Sequence, residues 1–457
     1  MRIVFALLFV IFLIVGCTSN LKKEEQIVHT NVPPNETIKE KPVVPKQNIE
    51  KSQDQPSQIP QPVITEPQRA YVPPTNSSPS FNQKFTDPTF GTTLRRITDR
   101  ASKGGFGTHI YSQLQAFSDD DEYILLVEDG EYLVKRRDNA NLVYQFPSDS
   151  INAPRWQPAR KHTIVHYDSN ADTMLRVQYT NVDTGSAENV FTFPSTYERI
   201  VGNPSFDELS YDGKWMAGLA QKSDGSRVIF VLDLEDKMLM VELPLPILYT
   251  STCTPDTTYG IIEPDWISVS PLGNYLVVQW PRDGTTRCNG LETFNIRTGA
   301  FIGRVSESHQ HGDLGVMPDG KTEFFMTFDL YHPSGAESYL GLHVFPGTTT
   351  MTPVLIQALD WNGEHISCQT QGACVITTRN NDDQEGNNFV ADPFDYELFL
   401  QCINGSVVRL AHHHSTSCDY WAQPRASISK DGKYVIFASD WGINDCRSDA
   451  YVVEVPR

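Results

Sequence analysis

Ser429-Lys-Asp-Gly-Lys-Tyr-Val-Ile-Phe437 reads as a tight turn followed by an apolar strand. The Asp-Gly pair supplies the φ > 0 positions such a turn requires, and Tyr-Val-Ile-Phe has the composition of a buried strand. The pattern recurs. Ser118-Asp-Asp-Asp-Glu-Tyr-Ile-Leu-Leu, Ser210-Tyr-Asp-Gly-Lys-Trp-Met-Ala, Ser270-Pro-Leu-Gly-Asn-Tyr-Leu-Val-Val and Met317-Pro-Asp-Gly-Lys-Thr-Glu-Phe-Phe are versions of one strand–turn–strand unit. Two degenerate copies fill the gaps, Trp156-Gln-Pro-Ala-Arg-Lys-His-Thr-Ile-Val and Ile366-Ser-Cys-Gln-Thr-Gln-Gly-Ala-Cys-Val.

Self-similarity at a fixed period is the signature of a repeat architecture. The seven units share residues 88–457, or about 53 residues each, somewhat longer than a common propeller blade of ~40–45. Further strand-like runs, such as Arg227-Val-Ile-Phe-Val-Leu-Asp and Glu292-Thr-Phe-Asn-Ile, follow several units. Four strands per unit and seven units predict an all-β, seven-bladed β-propeller. The last unit stops after a third strand, Ala450-Tyr-Val-Val-Glu-Val, and Gly91-Thr-Thr-Leu-Arg-Arg-Ile-Thr98 has the pattern of the missing fourth. Pairing of the two would close the ring. Two β-sandwich domains would not produce the regular Ser-x-Asp-Gly-x spacing.

The N-terminus reads differently. Arg2 precedes an apolar run, Ile3 to Val15, too short for the ~20 residues of a spanning helix and suited to a signal segment. Ile14-Val-Gly-Cys17 resembles the lipobox of bacterial lipoproteins. That resemblance implies a signal peptide over 1–16, lipidation of Cys17, and, with Thr18 after it, an outer-membrane lipoprotein on the periplasmic or surface face. Residues 17–87 contain Cys17 and then a Pro/Gln-rich tract poor in aliphatic residues, the composition of a disordered tether. A monomer held to the membrane by its lipid anchor is expected.

A formal charge of −19 argues against nucleic acid, whose phosphates demand clustered Lys and Arg. It also argues mildly against a polyanionic substrate, which a net negative field repels at long range. Export favours disulfides. Cys368 and Cys374 flank a hairpin turn, and Cys253 with Cys288 and Cys418 with Cys446 are the other assignments, leaving Cys402 over. Sequence alone does not determine that connectivity.

In a propeller, the segment before each first strand lies at one mouth of the central channel. That position holds His109 and Tyr111, then Arg155, Asn203, Glu263 with Asp265, His309 and His311 with Asp313, His365, and Gln423 with Arg425. Polar groups from seven segments thus converge on a concave mouth, as a binding site requires. Alternation in an extended segment would put His309 and His311 on one face, with His365 as a third imidazole for a divalent metal. The alternative is hydrogen-bonded rim histidines. His412-His413-His414 with Cys418, His365 and Cys368 offers a mixed His/Cys zinc set. Asp119-Asp-Asp-Glu122 reads as a solvated turn, with Ca²⁺ as the alternative. No G-x-S-x-G elbow, Walker loop or His-Glu-x-x-His is present.

The Ser-x-Asp-Gly-Lys-x-apolar unit resembles the TolB-like propellers over most of 88–457. Within that group, His309-x-His311 and Gln423-Pro-Arg-Ala-Ser-Ile-Ser-Lys-Asp-Gly432 are similar to segments of the oligogalacturonate and ulvan lyases. This chain has Ser306 where the lyase metal motif has Gln, and His365 opens a later blade where the lyases use an earlier one. The TolB resemblance implies a binding or scaffold role, and the two resemblances together imply an oligosaccharide or an envelope protein as the partner. The lyase resemblance implies β-elimination on a uronate glycan, with Mn, Zn or Ca on His309, His311 and His365. The metal, or Arg155 and Arg425, would neutralise the C5 carboxylate, while His109 or Tyr111 moves protons.

Overall fold

A computed structural model describes residues 69–71, 74, 77–147, 151–168, 174–202, 207–245, 253–254, 262–281, 284, 287–346, 353–359, 362–379 and 393–456. The signal segment 1–16, Cys17, most of the expected tether and Asn203 lie outside them.

The recurring turn owes its sequence to its hydrogen bonds. In Ser210–Trp215 the Ser210 hydroxyl donates to the Asp212 carboxylate at 2.6 Å and accepts the Trp215 N–H at 3.0 Å. Asp212 also accepts the Lys214 N–H at 3.0 Å, and Gly213 sits at φ +69°. Ser429, Asp431 and Gly432 (φ +72°) repeat the arrangement. Ser118 does so with Asp121 at φ +58° in the glycine position. Serine, aspartate and a left-handed residue are each required by one bond or one dihedral.

These turns organise seven antiparallel sheets. Blade 1 is Gly107–Thr108, Tyr123–Glu128, Glu131–Arg136 and Leu142–Gln145. Blade 2 is Ile151–Trp156, Thr163–Asp168, Arg176–Asn181 and Ala187–Thr192. Blade 3 is Tyr197–Ile200, Trp215–Lys222, Arg227–Asp233 and Met238–Pro244, and blade 4 is Trp266–Val269, Tyr275–Trp280, Gly290–Asn295 and Phe301–Ser306. Blade 5 comprises Gly312–Val316, Glu323–Leu330, Ser338–Val344 and Val354–Ala358, and blade 6 Asn362–Thr370, Ala373–Arg379, Glu397–Cys402 and Val407–His412. Blade 7 takes Ser427–Ile428, Tyr434–Ser439 and Asp449–Glu454 from the C-terminus and Thr93–Arg96 from the N-terminal side, with Leu94 opposite Val453. The ring closes as the sequence predicts, and a fifth strand, Lys84–Thr86, edges the same blade.

The core is divided the same way. Each of seven apolar clusters is shared by two neighbouring blades. Successive residues of a strand point to opposite faces. Leu125 and Val134 of blade 1 therefore pack toward blade 2, while Ile124, Leu126 and Leu133 pack toward blade 7. Middle strands are buried on both faces, which is why they read as unbroken apolar runs rather than alternating ones.

Cys253–Cys288, Cys368–Cys374 and Cys418–Cys446 are disulfides, as expected. Cys402, left over in the sequence reading, is disulfide-bonded rather than free. No helix among the described residues is long and apolar enough to cross a membrane.

Candidate binding site at the channel mouth

The inner segments of several blades enclose a cavity of about 660 Å³. Tyr111 and Tyr132 come from blade 1, Asp207 from blade 3, Asp265 and Trp266 from blade 4, and Gln310 and His311 from the approach to blade 5. Tyr420 and Trp421 come from the loop before blade 7. Five aromatic rings and a few polar groups thus face one concavity, the usual make-up of a small-ligand site.

The aromatic wall is braced from behind. Phe106 stacks on Trp421 at 4.3 Å, Tyr420 meets Trp421 edge-on at 5.1 Å, and Tyr111 lies parallel to Tyr420 at 6.4 Å. The guanidinium of Arg425 sits 4.2 Å from the Tyr420 ring and 5.4 Å from Trp421, fully buried. Its Nη1 donates to the Ile110 carbonyl at 3.3 Å, while Nε and Nη2 have no hydrogen-bond partner. Arg425 also holds a left-handed φ of +41°, a strained conformation for a side chain with a Cβ.

His109 supports that conformation. It is fully buried, and its ring Nε2 lies 2.5 Å from the Arg425 carbonyl. Burial, aided by the Arg425 charge, lowers its pKa to about 3. The ring is therefore neutral, with its Nε2–H donating to that carbonyl. Tyr111 does reach the cavity. Burial, then Tyr420, pushes its hydroxyl well above the ordinary value, so it is a phenol and not a phenolate.

His309, His311 and His365 are not brought to one point. His309 and His311 both precede the strand that begins at Gly312, so strand alternation does not govern them. His309 lies with Asp329, Tyr339 and His343 along a separate cavity of about 260 Å³, and its Nδ1 is 3.3 Å from the Trp280 carbonyl. His311 lines the large cavity, hydrogen-bonds the Glu364 carbonyl through Nδ1, and stacks on His365 with ring centroids 4.5 Å apart. His365 is buried, and its Nδ1 has no partner. Burial, His311 and Arg425 hold its pKa well below the ordinary value. Two stacked rings and a third facing elsewhere do not fit a shared metal, whose ligands must aim their lone pairs at one centre.

Among the described residues, Asp120, Glu122 and His162 are the group whose donor atoms fall within 4.8 Å of one another. His162 is 3.0 Å from Asp120 through Nε2 and 2.7 Å from Asp183 through Nδ1. Lys161 pairs with Asp120 at 3.2 Å and Arg136 with Glu122. The donor set suits a divalent cation, but its acids are already paired with the chain's own cations. The mixed His/Cys zinc set is excluded, because Cys368 and Cys418 are in disulfides and have no thiolate to offer.

Sequence reasoning placed Arg155 at the rim. It is buried instead, donating from Nε to the Asp207 carbonyl and from Nη1 to the Ala153 carbonyl at 2.8 Å. Glu263 pairs with Arg227 at 2.5 Å. Asp207 escaped notice altogether. It is buried at the cavity wall; its Oδ1 accepts the Glu208 N–H at 2.8 Å, and its Oδ2 has no partner. Burial pushes its pKa up to about 7. Asp313 is raised by burial and by Asp207, and Glu208 by burial. The available signal was position: Asp207, like Asp313, stands a few residues before its blade's turn. Tyr132, Trp266, Tyr420 and Trp421 carried no motif.

No protein-family model and no curated protein matches this sequence. Solved structures do. An oligogalacturonate lyase from Vibrio parahaemolyticus superposes with a TM-score of 0.56 at 12% identity, over 82% of this chain and 96% of that one. An oligogalacturonate lyase in complex with manganese gives 0.55 at 12%, over 82% and 96%. TolB from Acinetobacter baumannii gives 0.34 at 15%, over 77% and 64%. At 12% identity the lyase likeness establishes the propeller fold.

Proposed function

We propose that this is an exported, envelope-anchored propeller that binds an oligosaccharide in its central cavity. The observation that carries this reading is a cavity of about 660 Å³ lined by Tyr111, Tyr132, Trp266, Tyr420 and Trp421 together with Gln113, Asp207, Asp265, Gln310 and His311. Sugar rings have apolar faces that pack on aromatic rings, and equatorial hydroxyls that need the polar groups between them. Three disulfides among the described residues support an oxidising compartment, and the Ile14-Val-Gly-Cys17 pattern supports the anchor.

The test is calorimetric titration of the purified propeller with neutral, acidic and amine-bearing oligosaccharides. Tyr420→Ala is expected to weaken the bound sugar about tenfold, the scale of one aromatic contact of about 1–1.5 kcal/mol. Binding that ignores Tyr420→Ala and Trp421→Ala, or no binding across the panel, refutes the reading.

A second reading, β-elimination on a uronate glycan, is favoured by one observation: Arg425 keeps two guanidinium donors without a partner beside Tyr111 and His365. There Arg425 would hold the uronate carboxylate, the neutral His365 would take the C5 proton as the bond from C4 to the leaving oxygen breaks, and the Tyr111 phenol would protonate that oxygen. Arg425 is covered by Tyr420 and Trp421, so those rings would have to shift first. The test is release of unsaturated uronate product, read by ultraviolet absorbance, and its loss in Tyr111→Phe.

A further inference from the structure

The charge on the cavity wall narrows the class of sugar. Asp207 and Asp265 line the cavity, and among the described residues no lysine or arginine does. Arg155 donates to backbone carbonyls, and Arg425 lies behind the aromatic wall. Asp207 faces Arg155 and Glu208, with Asp313 and Tyr111 also within electrostatic reach. Lys430 acts on Glu208. Two carboxyl groups, Asp207 and Glu208, therefore share the guanidinium of Arg155, and the buried Oδ2 of Asp207 makes no hydrogen bond. The Tyr and Trp faces add the negative side of their quadrupoles. At longer range, the net charge of −19 draws cations and repels polyanions.

We propose that the cavity takes a sugar carrying a free amine, a hexosamine unit whose ammonium group sits against Asp207 and the surrounding aromatic rings. This rests on the saccharide reading of the cavity and replaces a uronate with a cationic residue as its ligand. The ammonium brings donors to the unpartnered Asp207 Oδ2 and the positive charge that the buried acids lack. No bond is made or broken; on binding, a proton held by Asp207 passes to solvent.

The experiment titrates the propeller with short β-1,4-linked glucosamine oligomers, their N-acetylated counterparts and oligogalacturonates. A pH of about 6 keeps the amines protonated. The glucosamine oligomers are expected to bind at least tenfold more tightly than the N-acetylated ones. Asp207→Asn should abolish that preference, and Asp265→Asn, at an exposed position, should reduce it. A thermal melt of each variant separates lost binding from lost folding. Equal or better binding of N-acetylated oligomers, indifferent to Asp207→Asn, overturns the amine assignment and leaves the saccharide reading standing. A preference for oligogalacturonate overturns it in favour of the uronate. Binding of none of the three overturns both.

Discussion

Replacing Asp207 with asparagine should stabilise this protein, increasingly as the pH rises above about 4 and fully only above about 7. Asparagine keeps the shape and the acceptor for the Glu208 N–H, and Arg155 bonds the residue's backbone carbonyl, which the change leaves alone. What disappears is a buried acid whose pKa rises from an ordinary 3.8 to about 7, chiefly through burial. The folded state holds that proton more tightly than the unfolded chain. Below about pH 4 both states are protonated and the residue is neutral in effect. Between about pH 4 and 7 the unfolded chain gains by ionising while the folded one does not, so stability falls as pH rises, and above 7 the full penalty applies. At about 1.36 kcal/mol for each tenfold change in proton affinity, the ceiling is about 4 kcal/mol. Denaturant unfolding of wild type and Asp207→Asn at pH 4 and pH 8 measures it. The variants should coincide at the lower pH, and asparagine should be more stable at the higher one. Equal stability at both, or a loss at pH 8, would mean that Asp207 is ionised and well solvated or well paired, and the account of the cavity floor would fail with it.

Other consequences are separately measurable. Arg409 and Glu397 form a fully buried pair, with the guanidinium among Tyr71, Phe90 and Phe394. Arg409→Met should cost about 3–5 kcal/mol in chemical denaturation, and adding Glu397→Leu should recover part of it, because the cost is an uncompensated charge. Leu94, 1% exposed in the closing strand, is expected to cost about 2–5 kcal/mol as alanine; a negligible loss would mean the ring does not depend on that strand. Gly213→Ala should destabilise more than Gly225→Ala in the same assay. Both have positive φ, but a Cβ at 213 would lie 1.7 Å from the Gln157 Oε1 and one at 225 meets nothing within 4 Å.

The fold was legible because its determinants are local. Ser210, Asp212 and Gly213 satisfy one another within six residues, and an apolar strand follows each such turn, so the repeat can be counted without knowing where any blade lies. Ring closure was legible for a related reason: the last unit lacked a strand, and Gly91–Thr98 had the pattern of one. The site was legible only as a set of rim positions. His309 and His311 illustrate why. Their spacing implied a shared face only if the segment were a strand, and the strand starts one residue after His311.

The sequence by itself determined seven blades and the closing strand, since each follows from spacing or from a missing partner, whereas the cysteine pairings it suggested were decided only by the structure. Only the tertiary structure decided which rim residues share a cavity. It turned His309 toward a neighbouring cavity, buried His109 and Arg155 as supports, and brought Asp207 and the five aromatic rings to the channel mouth. The reason is geometric. Turns and strand alternation act over a few residues, whereas the cavity wall is assembled from segments separated by tens to hundreds of residues, whose side chains meet only once the ring has closed.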